Sequence, residues 1–428
     1  MLSKLALFTL LLPSALATTS EVIAMGGAGN GANLDWASLT YDESSVVSAS
    51  NVTLTAAPKA SNKFSSVSLD GALQLTARIA GDKMYAYMSG DAPAESGCCA
   101  GILRAFETDG SYSDTDLVEL VSDLFSEVTD WAYATHTFDI VDGVAYMMIQ
   151  YEEPSLNNAK ADAIVALDLE TGEVVKTADG DSYFSFFEKL ATDSTAAVDT
   201  IFSIQHYATS RRRLQGPPGP SGSTEEWHGN GILPFTSVDG TRLFAITHRT
   251  MNECVVMSDP WQTVGGGRIL QRFGNPGIYS SSGSSTSSHV FGMEDVSSGN
   301  WNGMHNAYYA VSPTDGRESI TVFVNSNGGS SSALYEFDLK LVSEDSVLAG
   351  DLDDSVFDTA YRTLELPFST GSQGGARPIG PMVDGKNVYV VAGGGSNTGI
   401  TVVSQDGESM NYNPSSSSVY DPFVYYTL

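Results

Sequence analysis

The sequence predicts an all-β protein, a six-bladed β-propeller with loop insertions, and three observations support that expectation. A unit made of an alternating strand, a polar-glycine turn, an apolar strand and a further hairpin recurs from Leu73 onward. Glycine (42 residues), tyrosine (19) and phenylalanine (18) are common, whereas long helical apolar periodicity is scarce. The length left after a leader, about 410 residues, suits one large closed β architecture.

Taken in order, the chain opens with MLSKLALFTLLLPSALA, which has one early lysine, an apolar run from Leu5 to Leu12 and small residues at Ala15 and Ala17. This pattern predicts a secretory signal peptide over residues 1–17 and an exported, soluble mature chain, residues 18–428, forming a single propeller domain. The next stretch, EVIAMGGAGNGA, contains a GxGxxA match, but no amphipathic helix or βαβ alternation follows it. It reads as a glycine-rich turn entering the first strands. Asn51-Val52-Thr53 is an N-glycosylation sequon.

Five units then follow, marked by the turn glycines Gly81, Gly143, Gly240, Gly316 and Gly385. Strands near the start, or around 351–366, are expected to complete a sixth. Two insertions interrupt the pattern. Between Asp114 and Trp131 the apolar residues Leu117, Leu120, Val121, Leu124 and Phe125 recur at helical spacing and predict a helix packed across a blade. Residues 207–226 combine Arg211-Arg212-Arg213 with a proline-glycine-serine stretch and predict a surface linker.

Charge narrows the function classes. Lysine and arginine number 21 against 51 acidic residues, a formal charge of −30, which argues against nucleic acid or an anionic membrane as partner. A site for an anion must then be a local basic pocket within an acidic field. Three cysteines, Cys98, Cys99 and Cys254, lack the spacing of a structural zinc site. No HExxH, G-x-S-x-G, P-loop or EF-hand pattern occurs.

The six histidines carry the functional signal. His136, His228 and His305 stand at or just before the first strand of successive units, where the inner strands of a propeller converge on the central channel. His206 beside the linker and His289 in a serine-rich loop read as solvent-exposed.

The stretches THTFDIVDGVAYMMI, WHGNGILPFTSVDGTRLFAITHRTMNECVVMSD and MHNAYYAVSPTDGRESITVFVNSN, together with ARPIGPMVDGKNVYVVAGGGSNTGITVV, resemble successive blades of the arylsulfotransferase family. The resemblance implies a six-bladed propeller that moves a sulfuryl group from a phenolic sulfate ester to a phenol through a transiently sulfated histidine, without metal or organic cofactor. It places the nucleophile at His305, further site histidines at His136 and His228, and the sulfuryl-binding guanidinium at Arg249. His136 or His228 would give a proton to the leaving phenolate. Tyr308, Tyr309 and Trp301 are near enough in sequence to rim a phenol site or to pack in the core.

Two departures stand out: His248 precedes Arg249 where the family has arginine then histidine, and Asn306 follows His305 where an aspartate is common. The alternative expectation is a non-catalytic secreted propeller that binds a glycan, a matrix component or a protein. A propeller hydrolase or lyase using the same histidines is a third.

Overall fold

The computed structural model describes residues 18–26, 34–42, 52–56, 64, 66–68, 72–90, 99–154, 159–185, 229–248, 253–274, 291–292, 301–312, 316–327, 331–340, 361–369, 374–379, 387–393, 400–404, 409–412 and 423–426. The signal peptide, the linker at 207–226, Asn51, Cys98, Gly385, His206 and His289 lie outside them.

Three strands come first: β1 (Thr18–Gly26), β2 (Leu34–Asp42) and β3 (Val52–Ala56). β1 and β2 pair antiparallel with Gly26 opposite Leu34, so the glycine-rich stretch joins two strands of a hairpin instead of opening a helix. β1 begins at Thr18, one residue beyond the leader expected from the sequence.

Blade one consists of β4 (Ala72–Ala80), β5 (Lys83–Met88), β6 (Ile102–Phe106) and β7 (Tyr112–Asp116), followed by helix α1 (Leu117–Phe125). Blade two holds β8 (Ala132–Val141), β9 (Val144–Glu153), β10 (Ala159–Asp168), β11 (Val174–Val175) and β12 (Phe184–Ser185). Blade three is β13 (Gly229–Thr236), β14 (Arg242–His248), β15 (Glu253–Ser258), β16 (Ile269–Gly274) and β17 (Phe291–Gly292). Blade four is β18 (Trp301–Val311), β19 (Glu318–Asn327), β20 (Ser331–Asp338) and β21 (Tyr361–Glu365). Blade five is β22 (Gly374–Pro378), β23 (Val388–Gly393), β24 (Ile400–Ser404) and β25 (Ser409–Tyr412), and the last strand is β26 (Phe423–Tyr426).

The architecture is an all-β propeller of small, mostly antiparallel sheets. Consecutive strands build five blades where the sequence predicts six. The remaining sheet has the order β26-β1-β2-β3 and takes its strands from both ends of the chain, so no continuous stretch reads as that unit. The segment at 351–366, one expected source of a sixth unit, instead supplies β21, the last strand of blade four.

The first strands of neighbouring blades touch one another, β4 with β8, β8 with β13, β13 with β18 and β18 with β22. They form the inner wall. Each hairpin that follows turns at one end of that wall. Between β8 and β9, Asp142 (φ 54°) and Gly143 (φ 77°) are both left-handed, the geometry of a two-residue type I′ turn and the reason for an Asp-Gly pair there.

Apolar side chains fill the spaces between blades. Strands such as β14 (RLFAITH) are buried along their whole length, because a neighbouring blade covers each face. Phe244 of blade three meets Tyr146 of blade two edge-on at 5.0 Å, and Phe273 stacks on Phe337 of blade four at 4.3 Å. Burial of this kind contributes about 25 cal/mol per Å² and is the main force holding the blades in a ring. Charged pairs add register at the turn end: Arg78 to Asp139 at 3.1 Å, and Arg242 to Asp142 at 3.0 Å.

The expected helix is present over Leu117–Phe125, with Leu117, Val121 and Phe125 buried against blade two. Asp116 caps it, its Oδ1 accepting the amides of Val118 and Glu119 at 2.9 and 3.0 Å. Asp116→Ala is expected to lower stability by about 1 kcal/mol. Urea unfolding checks this, and an unchanged midpoint would contradict the capping role.

Candidate functional site

Three inner strands break their pairing, β13 at its start and β8 and β18 near mid-strand. Register shifts fall between Ala134 and Phe138 in β8, between Gly229 and Gly231 in β13, and between His305 and Ala307 in β18. A bulge frees one or more residues from the ladder and re-aims their side chains. The freed residues here are Thr135, His136 and Thr137, then Asn230, then Asn306. Two of these bulges press together. A Cβ at Gly231 would lie 2.8 Å from Asn306 Cα and 2.6 Å from Thr247 Oγ1, so only glycine permits this approach of β13 to β18.

His305 lies on the β18 bulge and is 3% exposed. Its Nε2 is 3.4 Å from Asn230 Nδ2, and the same amide nitrogen donates to the Met304 carbonyl at 2.8 Å. A carbonyl can only accept, which fixes the orientation of the Asn230 amide. The nitrogen that faces the ring is then a donor, so Nε2 presents its lone pair and the proton resides on Nδ1. Phe323 packs edge-on to the ring, with centroids 6.5 Å apart.

A second polar group lies on the other side of β13. His248, the last residue of β14, is fully buried, with Nδ1 3.5 Å from Asp162 Oδ2. Asp162 projects from β10 of blade two and is 1% exposed. The same Oδ2 accepts the Gly229 amide at 2.7 Å. Neighbours on a strand point to opposite faces. While His248 meets Asp162, Thr247 therefore turns its hydroxyl toward Gly231. The bulge of β13 thus lies between a carboxylate–imidazole pair from blades two and three and a second imidazole from blade four.

Of the residues expected from the sequence, the structure puts His305 at the channel-end bulges and His136 within the matching bulge of β8. The His136 side chain, like His228 and Arg249 altogether, lies outside the described residues. His228 and Arg249 adjoin in sequence Gly229 and His248, which pair with each other.

Two aromatic residues close to His305 in sequence, Tyr308 and Tyr309, pack against neighbouring blades. Tyr309 stacks on Phe235 at 4.6 Å and donates to Glu318 at 2.5 Å. Burial, reinforced by the Glu318 carboxylate, holds its phenol well above the ordinary tyrosine range, so it stays a neutral donor. Tyr308 is buried, with the Arg377 guanidinium 5.2 Å from its ring centre. Trp301 belongs to β18, and its side chain lies outside the described residues.

Sequence reasoning missed Asn230 and Asp162. Asn230 is two residues after His228 in WHGN, on the strand already singled out. Asp162 left a clearer signal, a carboxylate inside the apolar run ADAIVALDL, where burial is costly unless a partner is at hand.

Among the described residues, no group of three or more histidine, cysteine or acidic side chains is arranged to hold a metal ion. A cleft of about 570 Å³ lies elsewhere, lined by residues that include Asp123, Asp179, Asp181 and Tyr183. Within it Asp179 accepts the Gly265 amide at 2.9 Å, and Tyr183 stacks on Phe125 at 4.4 Å.

No protein-family model matches the chain, and no characterised protein matches it in sequence. Solved structures resemble it at low identity. An endo-arabinase from Bacteroides thetaiotaomicron is 9% identical with a TM-score of 0.35, the match covering 81% of this chain and 98% of that one. The RS223 β-xylosidase is 11% identical with a TM-score of 0.33, over 81% and 94% of the two chains. The Dos1 propeller is 9% identical with a TM-score of 0.31, over 78% and 55%.

Proposed function

We propose that this chain is an exported arylsulfotransferase-like enzyme, which moves a sulfuryl group from a phenolic sulfate ester to a phenol through a sulfohistidine at His305. The observation that carries the reading is the buried His305 imidazole, whose Nε2 lies 3.4 Å from the Asn230 amide nitrogen where the bulges of β13 and β18 adjoin. A neutral imidazole is the nucleophilic form of histidine, and covalent capture divides one transfer into two easier steps.

In the first step Nε2 bonds to sulfur while the sulfur–oxygen bond to the aryl group breaks. The phenolate leaves with the electron pair and takes a proton from His136 or His228. In the second step the acceptor phenol gives its proton to that same base as its oxygen bonds to sulfur, and the nitrogen–sulfur bond breaks. Arg249 supplies fixed positive charge to the sulfuryl oxygens. By analogy with phosphoryl transfer, positioning and electrostatics do most of the work, and no metal or cofactor is called for. Asn230 holds Nε2 at 3.4 Å, a long hydrogen bond that an incoming sulfuryl group displaces at little cost.

Purified protein given a chromogenic phenyl sulfate and a phenol acceptor is expected to release phenol at a rate that rises with acceptor. No acceptor-dependent release across a broad donor panel would end this reading.

A second reading, a non-catalytic secreted propeller that binds a glycan or protein, is favoured by Asn306 in place of the family's aspartate and by the deep burial of His305. Ligand binding that survives His305→Ala in a protein without transfer activity would support it.

A further inference from the structure

We propose that Asp162 is the positioning carboxylate of the channel-end site. It holds the β13 bulge in the arrangement in which Asn230 meets His305, and its carboxylate faces His248 at the same point. A carboxylate 1% exposed, on a strand whose neighbours are apolar, is costly to bury without compensation. Its compensation comes from the site. Oδ2 accepts the Gly229 amide at 2.7 Å, a charge-assisted bond, and faces His248 Nδ1 at 3.5 Å.

Glycine at 229 is part of the device, because a Cβ there would lie 3.1 Å from Oδ2 and 2.8 Å from Met148 Cε. The anchored N–H belongs to the planar peptide that enters Gly229, and Asn230 follows one residue later. Anchoring the first therefore limits where the second directs its amide, which reaches Met304 at 2.8 Å and His305 at 3.4 Å. The chain of contacts runs from blade two through the bulge of blade three to the imidazole of blade four. It supplies an acidic orienting group from a neighbouring blade in a chain that has Asn306 beside its candidate nucleophile.

The positioning itself is independent of the reaction; its catalytic consequence rests on the sulfuryl-transfer reading. Two variants separate the parts. Asp162→Asn keeps the shape and an oxygen acceptor for the Gly229 amide, while Asp162→Leu, a larger apolar side chain, removes the acceptor. In ¹⁵N-histidine NMR spectra, His305 is expected to show the Nδ1–H tautomer in the unmodified protein and in Asp162→Asn, and a tautomer mixture in Asp162→Leu. An unmodified protein without the Nδ1–H form, or an Asp162→Leu protein whose His305 signals match it, would overturn the proposal.

Should Asp162→Leu not fold, amide exchange at Gly229 decides. It is expected to be roughly tenfold faster in Asp162→Asn than in the unmodified protein, since a charge-assisted bond is about twice as strong as a neutral one. Equal rates would overturn the anchor. In the transfer assay Asp162→Leu should lower kcat by roughly 10²-fold with little change in KM. An unmodified protein with no transfer activity would defeat the enzymatic reading while the NMR and exchange outcomes still judge the positioning.

Discussion

His305→Ala is expected to abolish acceptor-dependent sulfuryl transfer, with a loss on the order of 10³-fold or more, as follows when a covalent nucleophile is removed. In the proposed reaction the imidazole is the group that bonds to sulfur, and the Asn230 amide beside it cannot substitute, because it offers a donor where the reaction needs a lone pair. His305→Asn retains more of the side-chain volume against Phe323 and serves as the folded control. It should be as inactive as alanine while unfolding near the temperature of the unmodified protein. Transfer retained by both variants would remove His305 from the chemistry. The assay reads kcat, and circular dichroism with thermal unfolding reads the fold.

Gly231→Ala is the second large effect, and it acts on stability and activity together. The added methyl would sit 2.8 Å from Asn306 Cα, 3.0 Å from Asn306 N and 2.6 Å from Thr247 Oγ1. Two of those atoms belong to backbone, so no rotamer change relieves the contact, and β13 must move away from β18. Overpacking of this kind costs about 1–3 kcal/mol, and a backbone clash belongs at the upper end. The movement also lengthens the Asn230–His305 contact, so kcat should fall with the melting temperature.

Gly240→Ala provides the comparison. Gly240 lies at the turn end with φ 89°, and a Cβ there meets nothing within 4 Å. That substitution should cost only backbone strain, on the order of 1 kcal/mol, and leave transfer untouched. A Gly231→Ala protein as stable as Gly240→Ala would mean that the two bulges are not in close contact.

The fold was largely legible in the sequence because its signals are local. Alternating strands, the Asp-Gly turn at Gly143 and the helical spacing of Leu117, Val121 and Phe125 each act within a few residues, and each element formed where expected. The blade count was not legible, because the sheet β26-β1-β2-β3 joins strands almost four hundred residues apart in sequence. His305 was singled out in the sequence because it stands near the start of a repeating unit, and it lies within the inner strand β18. Asn230 and Asp162 were not, since their roles come from contacts 75 and 67 residues away in the chain. A buried acid within an apolar strand was the one local clue. Tyr309 shows the converse: an aromatic close in sequence to the histidine is turned into blade packing by its stacking on Phe235.

The central claim is that His305 becomes sulfated. Mass spectrometry of the protein after incubation with an aryl sulfate, without acceptor, tests it most directly. One added SO₃ group per chain, mapped by peptide sequencing to His305 and lost when a phenol is supplied, is the expected result. No adduct under donor saturation, or an adduct on another residue that a phenol discharges, would contradict it.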